Sequence, residues 1–119
     1  MTAPMVGGRP LAEVKAELFR TLGHPARIRI LELLSERDHA VHELLEQIAI
    51  EPSNLSQQLS VLRQAGLVSQ RREGGEVIYS LALPEVRDLL LAARTLLETK
   101  HSSSDVLVDE ITRGTAADQ

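Results

Sequence analysis

A chain of 119 residues with 43% hydrophobic and 25% charged side chains suits a single globular domain. It has no cysteine, which removes disulfides, thiolate metal sites and thiol nucleophiles, and its only aromatic residues are Phe19 and Tyr79, too few for a base-stacking binder of single strands. The formal charge of −4 argues, taken alone, against a nucleic-acid partner. The longest uninterrupted apolar run, Leu89–Ala93, is too short to span a membrane, and residues 1–10 lack the apolar core of a secretory signal. The expected compartment is the cytoplasm.

Residues 1–10, with two prolines and Gly7-Gly8, are expected to be a disordered tail. Leu11, Val14, Leu18, Phe19 and Leu22 then recur at helical spacing, and Gly23 is expected to end that helix in a left-handed conformation. Pro25 suits the first position of a second helix, whose Ile28, Ile30, Leu31, Leu33 and Leu34 make a wide, buried stripe. Ser35 to His39 reads as a polar connector. A short third helix places Val41, Leu44, Leu45 and Ile48 on one face. After a tight connection, Pro52 opens a fourth helix with Leu55, Leu59 and Leu62 on its inner side. Gly66 closes it. The period then becomes extended: Leu67–Arg72 and Glu76–Ala82 flank Gly74-Gly75, a hairpin signal. Pro84 opens a last long helix with a wide stripe of Val86, Leu89, Leu90, Ala93, Leu96 and Leu97. Residues 101–119 read as an acidic, serine-containing tail, in which Val106, Leu107 and Ile111 would support at most a further turn or two. The fold class is mainly α with a small hairpin, in the order α-α-α-α-β-β-α, and residues 11–100 form the domain.

Located along the chain, the charge takes on a pattern. Residues 52–72 contain Arg63, Arg71 and Arg72 and no acid, and local potential rather than net charge decides whether a polyanion docks. Two adjacent short helices joined by a tight turn match a helix-turn-helix. The second carries an uncharged, hydrogen-bonding outer face: Ser53, Asn54, Ser56, Gln57, Gln58, Ser60 and Gln64. Such side chains can donate and accept toward base edges in a major groove about 12 Å wide, with glutamine able to pair bidentately with adenine. Arg71 and Arg72, beside the hairpin tip, would meet phosphate or a minor groove, with Arg63 a further phosphate contact.

These residues resemble the ArsR/SmtB-type winged helix-turn-helix regulators of bacteria and archaea. The resemblance rests on His24-Pro25-Ala26-Arg27 leading into Ile30-Leu31-Leu33-Leu34, on Ser53 to Leu59, on Leu62-Arg63-Gln64-Ala65-Gly66-Leu67-Val68, and on Arg71 to Gly74 with Tyr79-Ser80-Leu81. It covers nearly all of residues 11–100. It implies dimeric, site-specific binders of double-stranded operator DNA, most often repressors released by an effector. Ser53–Gln64 would be the recognition helix, with Ser56 and Gln57 the leading base contacts, and Gln58 stands where the family often has histidine. The first and last helices would dimerise through Leu11, Val14, Leu18, Val86, Leu89, Leu90, Ala93, Leu96 and Leu97.

Many relatives sense metals through a cysteine pair on the third helix or through carboxylates and histidines on the last. Aligned with those positions, Ala40 and His42, then Leu83, Glu85, Leu96 and Thr99, offer one potential ligand per site, too few for tetrahedral zinc. His39, His42 and His101 are the side chains that could build a histidine-based alternative. No metal or other cofactor is expected, and no nucleophile–base pair or phosphate-binding loop suggests an enzyme. The competing readings are a winged-helix module that binds a protein partner, which the net charge favours, and a histidine-based metal-responsive sensor.

Overall fold

The computed structural model describes residues 3–115, with side chains through residue 102. The chain divides into two compact units, Met1–Arg87 and Asp88–Gln119. The first contains β1 (Met5–Val6), β2 (Arg9–Pro10), α1 (Leu11–Leu22), α2 (Pro25–Glu36), β3 (His39–Ala40), α3 (Val41–Gln47), α4 (Pro52–Gln64), β4 (Val68–Glu73) and β5 (Glu76–Leu81). Its last residues begin α5 (Glu85–Thr115), which makes up the described part of the second unit. The expected order of four helices, hairpin and helix is therefore found, with small strands added to it.

Local chemistry sets the helix ends. Pro25 and Pro52 occupy first-turn positions, where a missing N–H costs nothing. His24 caps α2, its Nδ1 accepting from the backbone N–H of Ala26 at 3.3 Å. At the start of α3 the Glu43 carboxylate accepts from the N–H of Ala40 at 2.8 Å, and this bond, with Arg37 nearby, holds its pKa below the usual carboxylate range. The end of α4 is a Schellman closure: Gly66 N–H donates to Arg63 C=O and Leu67 N–H to Leu62 C=O, both at 3.0 Å. Gly66 sits at φ +78°, which a side chain would strain, and the accompanying apolar pair, Leu62 and Leu67, is buried.

The core of the first unit lies where α2 packs on α4 and on β5, with α3 against β5. Ile30, Leu31, Leu34, Leu44, Leu55, Leu59 and Leu62 are fully buried there. The strands β4 and β5 pair antiparallel from Val68↔Leu81 to Glu73↔Glu76, leaving Gly74-Gly75 as a two-residue turn. β3 adds to the other edge of β5, His39 opposite Tyr79 and Ala40 opposite Ile78, so the sheet order is β3-β5-β4.

Several details differ from the sequence expectations. Within residues 1–10, Met5–Val6 and Arg9–Pro10 pair as a second small hairpin. It is fastened to α1 by a two-pronged Arg9–Glu17 ion pair and by the Leu11 N–H donating to Pro4 C=O at 2.9 Å. The connector Ser35–His39 overlaps α2 at one end and β3 at the other. Gly23 is not left-handed: its φ is −77°, and a Cβ there would crowd the carbonyl oxygen of Phe19 at 3.1 Å. α5 continues through Thr115 instead of ending near residue 100. Neither glycine nor proline interrupts residues 85–113, and serine lowers helix propensity without breaking a helix already begun. The last four residues lie outside the described part.

Candidate nucleic-acid interface

The helix-turn-helix is α3, the turn at residues 48–51, and α4. Leu55, Leu59 and Leu62 anchor α4 in the core. At 100° per residue the opposite face carries Ser53, Ser56, Gln57, Ser60, Arg63 and Gln64, all exposed. That face holds donors and acceptors with a single cation at its far end and no acid.

Gln58 departs from the expected DNA-facing set. It is 7% exposed, turned toward the core between Leu55 and Leu62. Its Nε2 donates to Asn54 Oδ1 at 3.0 Å, and its Oε1 accepts from Arg27 Nε at 2.7 Å. Arg27 also donates from Nη1 to the carbonyl of Thr21 at 3.2 Å. The end of α1, the first turn of α2 and the middle of α4 are thus joined through one guanidinium. Gln58 thus ties α4 to the α1–α2 corner, and Asn54 is half-buried and engaged by the same amide. The signal was in the spacing: position 58 is three after Leu55 and four before Leu62, on the buried stripe. Arg27 had no such signal, since nothing in the local pattern connects it to a helix 31 positions away.

On the wing, Arg71 and Arg72 are both exposed, as expected, but they are not equivalent. Arg71 donates from Nε to Glu73 Oε2 at 2.9 Å and from Nη1 to Asp38 Oδ2 at 2.8 Å and Ser80 Oγ at 3.0 Å. The bonds to Asp38 and Glu73 raise the Arg71 pKa, and the same guanidinium holds Asp38 below the usual carboxylate range. Among the described residues, no ion pair engages Arg72 or Arg63.

Of the expected dimer residues, Leu11, Val14 and Leu18 are half-buried along α1, where they line a surface groove with Val6, Thr21 and Ala65. Val86 is corrected: at 6% exposure it belongs to the core of its own unit, at a turn secured by Arg87 Nε donating to Ser35 C=O at 2.8 Å. Farther along α5, Leu89 and Leu90 are half-buried and Ala93 is exposed; Leu91, Leu96 and Leu97 are 53%, 63% and 50% exposed.

The candidate histidines stand in different settings. His39 is 3% exposed, and its Nδ1 lies 2.8 Å from the Arg37 carbonyl, an acceptor that requires the proton on that nitrogen. It lies in β3, buried opposite Tyr79. His42 lies 3.1 Å from Glu76 on the surface, and His101 is exposed on α5. Among the described residues no cluster of three His, Asp or Glu side chains could hold a metal ion, and no helix is long and apolar enough to cross a membrane.

A helix-turn-helix followed by a hairpin on a three-stranded sheet defines the winged helix-turn-helix class of DNA-binding fold. The sequence profile of bacterial regulatory proteins of the arsR family matches residues 24–70. An uncharacterized HTH-type transcriptional regulator of Mycobacterium tuberculosis, Rv0081, is 51% identical over 109 residues, covering 91% of this chain and 96% of its own. Its crystal structure superposes with a TM-score of 0.70 over 87% of this chain and 98% of that one. The transcriptional repressor BigR of Xylella fastidiosa superposes with a TM-score of 0.67 at 39% identity, covering 71% of this chain and 87% of its own. A homodimeric winged helix-turn-helix DNA-binding domain of Mycobacterium bovis, Mb0332, does so with a TM-score of 0.68 at 25% identity, covering 80% and 86%. The chain belongs to the arsR family of bacterial regulatory proteins.

Proposed function

We propose that the protein is a homodimeric, sequence-specific repressor that binds double-stranded operator DNA, is not regulated through cysteine-held metal or thiol chemistry, and has no enzymatic activity. The observation that carries this reading is the outer face of α4, where Ser53, Ser56, Gln57 and Ser60 stand exposed on a helix that contains no acid while the leucines and Gln58 hold it from behind. Each subunit would lay α4 in one major groove, with the two half-sites one helical turn, roughly 34–36 Å, apart. The homodimeric Mb0332 domain and the repressor BigR support the assembly and the sign of regulation. The apolar side chains left exposed on α5 support a second copy as their cover.

Base reading falls to Gln57 and Ser56. Gln57→Ala is expected to cost about 2 kcal/mol at one base position and to relax preference there, while leaving affinity for random DNA unchanged. Binding titrations on the preferred site and on single-base variants check this; equal loss on every sequence would remove Gln57 from the base-reading set. Phosphate contact falls to Arg72 and Arg63, whose guanidinium groups are free of carboxylates. Arg72→Ala is expected to weaken binding to all sequences and to reduce the slope of log affinity against log salt by about 1. A salt titration with an unchanged slope would exclude Arg72 from phosphate contact.

A further inference from the structure

Arg71 sits where the wing meets the segment leading into the helix-turn-helix. Three hydrogen bonds tie it down, to Glu73, Asp38 and Ser80, leaving part of its five-donor guanidinium free. Asp38 reaches it from another part of the chain, 33 positions before it, immediately ahead of β3. The charges gathered on this edge, Asp38, Arg71, Arg72, Glu73 and Glu76, sum to one net negative charge. The hairpin itself is neutral, two arginines against two glutamates, and Asp38 tips this edge to a negative charge. The side chains of Arg71 and Asp38 are 48% and 46% exposed, and ion pairs of that exposure are weak and readily exchanged for another anion.

We infer that Asp38 is an affinity-setting residue: it competes with DNA phosphate for the Arg71 guanidinium and so keeps the sequence-independent part of DNA affinity low. Sequence-independent binding scales with the number of phosphates that cations neutralise. An arginine already neutralised by a carboxylate of its own chain contributes less to that number. Base reading by α4 involves neither residue, so the device lowers binding to every sequence alike and leaves the discrimination between bases to α4. Glu73 reinforces it from the other side of the guanidinium. This inference rests on the proposed DNA docking through α4 and the wing.

The test is a salt titration of the full chain on a short random-sequence duplex, followed by fluorescence anisotropy from about 50 to about 200 mM salt. Asp38→Asn is expected to bind about tenfold tighter at the low-salt end, with a slope steeper by about 1. Glu73→Gln is expected to move both in the same direction, which guards against a folding defect peculiar to one variant. Adding Arg71→Ala to Asp38→Asn should erase the gain. Glu76→Gln removes the same charge from the same wing, but its carboxylate faces His42 instead of Arg71, so it should leave the slope unchanged. Asp38→Asn without a gain, a gain that survives loss of Arg71, or a Glu76→Gln that reproduces it would each overturn the assignment. Wild-type protein that binds the duplex with ordinary salt dependence while Asp38→Asn gains nothing overturns the role of Asp38 alone; absence of salt-dependent binding in every variant overturns the DNA reading with it.

Discussion

Replacing Leu96 and Leu97 together by glutamate is expected to leave a folded monomer whose specific DNA affinity has dropped at least about a hundredfold. Both leucines are exposed in the single chain, so neither supports the folded core, and the far-ultraviolet circular dichroism should not change. Fully burying a leucine is worth about 1.5–3 kcal/mol, and a two-fold pair buries each position twice. Four leucines thus supply about 6–12 kcal/mol at the upper limit, comparable with the roughly 12 kcal/mol that holds a nanomolar dimer. Four introduced carboxylates would add repulsion across the axis. Sedimentation equilibrium reads the mass directly. A double variant that remains dimeric would move the interface away from this part of α5.

Gln58→Leu is expected to lower stability by about 2 kcal/mol, because it removes a hydrogen bond to a charged group and leaves the Nε of the half-buried Arg27 without its partner. It also frees Asn54 and loosens α4 against α1 and α2. Thermal or urea unfolding gives the stability, and a DNA titration under folding conditions gives the second consequence: weaker specific binding from a helix held less firmly. Arg27→Ala should produce much the same loss, and the double variant little more than either alone, since both act through one bond. Full additivity would mean that the two side chains stabilise the fold independently. Gln58→Ala that retains stability but abolishes sequence preference would return Gln58 to the DNA-reading face.

How far the sequence revealed this arrangement depended on how local each signal is. The amphipathic periods of α2 and α4, the prolines that open them, and the Gly74-Gly75 turn are properties of adjacent residues, and each was found where expected. The outer face of α4 could be read because its inner face was marked by leucines. At Gln58 the residue type points to DNA while its position on the wheel points to the core, where the structure buries it. What stayed hidden needs contacts between segments: the two-residue β3 exists only because β5 pairs with it, and Asp38–Arg71 and Arg27–Gln58 join residues more than thirty positions apart. The N-terminal hairpin was within reach, since Gly7-Gly8 repeats the dipeptide that turns the wing, but two-residue strands carry no alternation to detect. The acid-free stretch at residues 52–72 was visible in the sequence, yet its effective charge is smaller than counted, because Asp38 and Glu73 reach Arg71 from outside it.

The central claim is that two copies of α4 read DNA together, and selection of bound fragments from a random-sequence duplex pool tests it most directly. At moderate salt, sequencing of the bound fraction is expected to yield an inverted repeat whose half-sites lie about 10–10.5 base pairs apart, centre to centre. Purified protein that enriches no motif, or only a single unrepeated half-site, would contradict it and favour a winged helix used to bind another protein.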